Sequence, residues 1–99
     1  MKVIFAPAAK LDLLRIGEHI RPENPTRAIS FVDELIAHCY TLADMPRRYP
    51  LVPRYEHWGI RRSVYGKYLI FYRVRSEAVD IVHVLPGAMD YESILFPDA

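Results

Sequence analysis

The prolines at positions 46, 50 and 53 constrain this chain more than any other feature. Each fixes φ and removes a backbone donor, so the stretch around them cannot be a helix and is a poor central strand. The segment from 46 to 58 therefore reads as irregular, and it divides two textures. Before it, apolar residues recur at helical spacing. After it come runs rich in β-branched and aromatic residues.

In the first half, Lys2 to Ala6 reads as a short strand. Pro7 suits the first turn of a helix, and Ala9, Leu13, Ile16 and Ile20 make an apolar stripe that runs to about Arg21. Pro22 and Asn24-Pro25 stop that helix and start another, with Asn24 as N-cap and Pro25 as first helical residue. Ala28, Phe31, Val32, Leu35, Cys39 and Leu42 carry the second stripe, which ends at Met45-Pro46. Two such helices joined by a short link must pack as an antiparallel hairpin.

In the second half, Gly59–Tyr65, Tyr68–Arg75 and Val79–Leu85 read as strands. A Gly66-Lys67 turn and a Ser76-Glu77-Ala78 link join them as hairpins. Pro86-Gly87 breaks the last strand, and Met89 to Phe96 suits one short helical turn. The expected fold is α+β, a small, largely antiparallel sheet packed on an N-terminal helical hairpin in the order β-α-α-β-β-β. On the central strand, Tyr68, Ile70, Tyr72 and Val74 share one face; Leu69, Phe71, Arg73 and Arg75 share the other. The first set is the expected core side. With the hairpin covering one face only, Leu69 and Phe71 are expected on an open apolar face that suits a partner.

Ninety-nine residues suit one domain spanning 1–99, and a composition 52% hydrophobic and 25% charged is that of a globular chain. The longest uncharged apolar run, Tyr68–Tyr72, is far short of the roughly 20 residues of a membrane span, and the start lacks a secretory h-region. A cytoplasmic chain with no membrane partner is expected. Thirteen basic and twelve acidic residues exclude a strongly basic nucleic-acid binder. The basic residues nevertheless crowd between Arg47 and Arg75, where Glu56 is the sole acid.

Metal and nucleotide chemistry have no support here. Metal-ligand spacings and phosphate-binding glycine motifs are missing, and four glycines build no phosphate cradle. No cofactor is expected. Cys39 lies on an apolar stripe and reads as a core residue. His83 sits in a strand near Asp80 and Asp90, so a histidine–carboxylate pair competes there with a structurally satisfied histidine. Arg61 and Arg62, with Arg73 and Arg75 on the next strand and Tyr65, Tyr68 and Tyr72 nearby, suit phosphates, bases or an acidic protein partner. Solvated charges that blunt a sheet edge are the alternative. No nucleophile or general base stands beside them in sequence.

The layout, the segment Gly59-Ile60-Arg61-Arg62, the run Tyr68-Leu69-Ile70-Phe71-Tyr72-Arg73-Val74 and the ending Val82-His83-Val84-Leu85-Pro86-Gly87-Ala88-Met89-Asp90 together resemble the RelE/ParE toxin superfamily of type II toxin–antitoxin systems. The resemblance covers almost the whole chain. RelE-like members, which cut mRNA on the ribosome, place an arginine in the central strand, basic residues after the last strand's glycine and often a C-terminal tyrosine or histidine. Here the strand position falls at about Leu69, Gly87 is followed by uncharged Ala88-Met89, and the chain ends through Ile94-Leu95-Phe96 with Tyr91 offset. The resemblance therefore points to the ParE-like branch, which poisons DNA gyrase by stabilising its cleaved-DNA complex and carries out no bond-making step itself.

That resemblance implies a cognate ParD-like antitoxin of ribbon-helix-helix type, with operator DNA reached only through the antitoxin. A homodimer or a toxin–antitoxin hetero-oligomer is compatible with it. Arg61, Arg73, Tyr72, His83, Met89 and Asp90 are the expected target contacts, and Leu69 and Phe71 the expected antitoxin contacts. The alternatives are a RelE-type mRNA interferase using His83, Arg61 or Arg73 and Tyr91, and a non-toxic antitoxin-binding relic.

Overall fold

The computed structural model describes residues 1–98. It contains β1 (Lys2–Phe5), α1 (Pro7–Ile20), α2 (Pro25–Thr41), β2 (Ile60–Tyr65), β3 (Tyr68–Val74), β4 (Ala78–Pro86) and α3 (Tyr91–Leu95), with a 3-10 turn at Glu56–Trp58. The expected order is present, with the expected short helix after it. Prolines open both long helices, and Asn24 caps α2 by accepting from the Arg27 amide at 3.0 Å. α2 closes at Thr41 rather than Met45, because the chain winds on through three-residue turns to Asp44. Gly66 takes φ 59° in the β2–β3 turn, a conformation that costs glycine least.

The sheet order is β1-β4-β3-β2. β4 pairs antiparallel with β3, and β3 with β2, as the two hairpins require. β1 joins the far edge of β4 in parallel, from Lys2 opposite Ala78 to Phe5 opposite Ile81. β1 has four residues and β4 has nine, so the end of β4 has no strand on that side. The buried carboxylate of Asp12 on α1 takes over where β1 stops, accepting from the Val84 amide at 2.9 Å. The same oxygen accepts from His83 Nδ1 at 2.7 Å. These two bonds fix α1 on β4 while satisfying a backbone donor that would otherwise be orphaned.

One core lies between the helices and the sheet. It joins Ala9, Leu13 and Ile16 of α1 and Leu35, Cys39 and Leu42 around α2 to Ile70, Tyr72, Val79, Ile81 and Val84. Tyr68 and Val74 pack against it, so the expected core side of the central strand is the observed one. Burial pushes the Cys39 thiol up to about 12, which leaves it inert at neutral pH. A register shift between β3 and β4 sets Val82 as the extra residue, so Ile81 and Val84, an odd number apart, both reach this core.

The other face is not open, and the expectation for Leu69 and Phe71 needs correction. Phe71 is fully buried in a second core with Val52, Ile60, Leu85, Leu95 and Phe96, and Leu69 is half-buried against it. Two segments form the cover. The proline-rich stretch brings Tyr55 onto Phe96, with stacked rings 4.1 Å apart and Trp58 at the same ring's edge. α3 brings Tyr91 to within 4.9 Å of the Phe71 ring. The Arg54 guanidinium clamps the two covers together with bonds of 2.9 and 2.7 Å to Glu92.

Two residues expected at a target surface instead hold the start of the proline-rich stretch, from the helix-facing side of the sheet. Arg61 donates to the Tyr49 carbonyl at 2.7 Å and to the Arg47 carbonyl at 3.3 Å. The buried Tyr72 hydroxyl donates to the Pro46 carbonyl at 2.7 Å, and burial raises its pKa. A proline-rich loop lacks donors of its own to pair its carbonyls, and these side chains supply them. Tyr72 has no surface left to offer a partner.

Phe71→Ala is expected to lower unfolding free energy by about 3–5 kcal/mol, as a buried aromatic should and a surface contact should not; urea titration checks it. A second expectation concerns His38, whose Nε2 lies 2.8 Å from the hydroxyl of fully buried Ser63. Burial holds the imidazole below its ordinary pKa. Stability tied to this group is complete above the unfolded value of about 6.5 and is lost as pH falls through the lower folded value. The urea midpoint should therefore drop between about pH 7.5 and about pH 5.5, and His38→Gln should lessen that drop.

Candidate functional site

Asp12, Arg15, Ile16 and His19 follow one another at helical spacing and form one face of α1. Across from them run His83 to Pro86 at the end of β4, and from the side come Lys67 and Tyr68 at the β2–β3 turn. Ala88, Met89 and Ile94 close the far end. Together they line a cleft of about 780 Å³, a size that suits a small organic ligand.

The polar end of the cleft is organised by Asp12. Its carboxylate accepts, so the His83 ring proton is assigned to Nδ1 and Nε2 is left for a ligand. The neutral ring then offers an acceptor there, and the protonated ring a donor. His83 is half-buried, and Asp12 is 5% exposed. Among the described residues Asp12 is also the only carboxylate that lines the cleft, against Arg15, Lys67, His19 and His83. Among the described residues neither Arg15 nor Lys67 forms an ion pair. The rest of the lining is apolar.

The structure separates the expected site residues. His83 and Met89 line this cleft, and Met89 is 43% exposed. Asp90 stands exposed just before α3 and accepts from the Ser93 hydroxyl. Arg73 is exposed and lies opposite Ile60 and Asp80 in the sheet. It shares its face with Arg62 rather than Arg61, because Arg62 pairs with Phe71 in the register. The carboxylates weighed beside His83 are both engaged elsewhere: Asp80 takes two bonds from Arg75, at 2.6 and 2.9 Å, and Asp90 holds Ser93. Tyr91 accepts from Arg62 Nη1 at 2.7 Å.

Asp12, Arg15 and Lys67 belong to no motif, and the partner of His83 lies 71 residues away in sequence. One signal did exist. Asp12 falls on the apolar stripe between Ala9 and Ile16, where a carboxylate is out of place unless something deep in the fold pairs with it. A second apolar groove, of about 560 Å³, runs along the outside of the hairpin between α1 and α2. Leu14 and Ile29 stand in it 61% and 69% exposed, and Lys10, Glu18, Arg21 and Asp33 rim it.

No helix among the described residues is long and apolar enough to cross a membrane. The fold matches a chain of the chromosomal ParDE toxin–antitoxin system from P. aeruginosa, with TM-score 0.72, 18% identity and coverage of 87% of this chain and 95% of that one. It also matches a chain of the toxin–antitoxin complex RelBE2 from Mycobacterium tuberculosis, with TM-score 0.65, 24% identity and coverage of 86% and 95%. No curated protein matches in sequence. The model of the family described as ParE toxin of type II toxin–antitoxin system, parDE, matches residues 3–91. The chain belongs to that family, the ParE toxins.

Proposed function

We propose that this toxin binds DNA gyrase in the cytoplasm, stabilises its cleaved-DNA complex and is neutralised by a cognate ParD-like antitoxin of ribbon-helix-helix type. The observation that carries the reading is the ParE family match over nearly the whole chain. The uncharged Ala88-Met89 after Gly87 supports it further, since cleavage of RNA needs groups there that stabilise phosphate charge and move protons. The whole chain, 1–99, acts as one toxin domain. His83 and Met89 at the cleft, Asp90 just before α3 and Arg73 near the end of β3 are separate contacts the toxin offers its target. Arg61 and Tyr72 act indirectly, by holding residues 46, 47 and 49 at the start of the proline-rich stretch.

The hairpin groove, with Leu14 and Ile29 exposed, suits the apolar face of an antitoxin helix. Half-buried Leu69 lies on the far side of the sheet from that groove and would meet a separate part of the antitoxin, whereas Phe71 cannot be reached without loss of the second core. The solved relatives from ParDE and RelBE2 systems support an antitoxin partner. Through it the toxin enters a hetero-oligomer and reaches operator DNA.

One observation favours a second reading. The Arg62–Tyr91 contact at 2.7 Å places a guanidinium beside a phenol on the α3 side of the sheet, as an mRNA interferase would need. A supercoiling and DNA-cleavage assay with gyrase, with and without ATP, separates the two. The expected outcome is linear DNA covalently attached to gyrase, in amounts that rise with toxin. Met89→Ala and Arg73→Ala should weaken this in proportion to gyrase binding, by roughly three- to tenfold each. Gyrase left untouched, with mRNA cut on translating ribosomes and Tyr91→Phe inactive, would establish the interferase. Neither effect would identify a non-toxic relic.

A further inference from the structure

We propose that the cleft between α1 and the end of β4 binds a small amphipathic phosphate, of the nucleotide class, with its phosphate held by Arg15, Lys67 and His83 of the lining. The argument does not depend on which macromolecule the toxin attacks. It starts from charge. Arg15 comes from α1 and Lys67 from the β2–β3 turn, elements far apart in sequence, yet both side chains line one cleft and neither has an ionic partner among the described residues. The Asp12 carboxylate, the one in the lining among the described residues, is already occupied by two donors. An anion that enters meets two uncompensated cations and a histidine whose Nδ1 is committed, which leaves Nε2 to face it.

The apolar part of the lining decides the ligand's other half. Tyr68, Met89 and Ile94 belong to it, and Met89 and Ile94 stay 43% and 41% exposed. Apolar surface of that kind in a cleft that also carries unpaired cations is covered by a ligand that carries a flat or apolar body on its anionic group. Aromatic rings stack on tyrosine, and methionine adapts to irregular shapes. A cleft of about 780 Å³ takes a nucleoside monophosphate whole, and its finite size argues against a polymer track. Asp12 makes the site rigid: the carboxylate that anchors α1 on β4 also holds the His83 ring in one orientation.

The test is a titration of the full-length chain, isotopically labelled, followed by amide chemical shifts. Four probes are used: adenosine monophosphate, adenosine, inorganic phosphate and ribose 5-phosphate. Saturable shifts with adenosine monophosphate, centred on Val84, Leu85, Tyr68 and Met89, are expected at micromolar to low-millimolar concentration. Adenosine and inorganic phosphate, each with half of the recognition, should bind at least about tenfold more weakly. Ribose 5-phosphate distinguishes a general sugar phosphate from a nucleotide: equal affinity would overturn the nucleotide assignment.

Arg15→Glu and Lys67→Glu are exposed changes that leave both cores intact, and each should weaken binding by at least about tenfold. Lys2→Glu, at the N-terminus of β1, should leave it unchanged. Three further results would overturn the proposal. The first is no saturable shift at millimolar adenosine monophosphate. The second is binding that survives both glutamate variants. The third is equal response to inorganic phosphate and to adenosine monophosphate, which would mean an adventitious ion only.

Discussion

The carboxylate of Asp12 is the contact on which the rest of the structure depends. β1 is too short to cover β4, so the far half of β4 carries a backbone amide with no strand to receive it. A water molecule cannot serve as cheaply at a buried position, and a side-chain carboxylate from the neighbouring helix does so with full charge assistance. One oxygen thereby fixes the distance and rotation of α1 against the sheet. Everything that lines the cleft on the α1 side follows from that placement. His83, which receives its orientation from the same oxygen, belongs to the fold and to the site at once.

The second constraint is the cover over the opposite face. A sheet of this size with one helical layer would expose Phe71 and Leu69, and the chain avoids that without a second helical hairpin. It uses an irregular segment stiffened by prolines and a helix of five residues, neither of which holds itself in place. Arg54 and Glu92 tie loop to helix, while on the helix-facing side of the sheet Arg61 and Tyr72 hold the carbonyls of Tyr49 and Pro46, where the loop begins. The arginine and tyrosine enrichment of this region is thus partly structural. Of its charged members, Arg73 is the one left exposed without an ion pair on the sheet, and Arg62 is spent on Tyr91.

Local signals were enough for the elements. Proline placement, the Asn24 cap and the two apolar stripes locate both helices, and alternation along β3 identifies its helix-facing side. What alternation could not reveal was the cover, because Val52, Trp58, Leu95 and Phe96 sit in stretches with no period at all. Nor could it reveal the bulge that brings both Ile81 and Val84 to one core. The cleft was half legible. His83 and Met89 stood out by residue type and position, but the pairing of His83 with Asp12 is a product of topology, made when the parallel strand stops and α1 crosses the gap. Adjacent acids at 80 and 90 were the wrong candidates because each finds a closer local partner. A charged residue inside an apolar stripe is the trace such long-range pairs leave in a sequence.

The most direct test of this account is amide hydrogen exchange at Val84 in the native chain and in Asp12→Ala. If Asp12 anchors α1 on β4, Val84 exchanges in the native chain only with global unfolding. In the variant it then exchanges faster than the β3–β4 amides around it, and stability falls by about 2–5 kcal/mol. An unchanged, fully protected Val84 amide in a variant of native stability would contradict the central role assigned to that carboxylate.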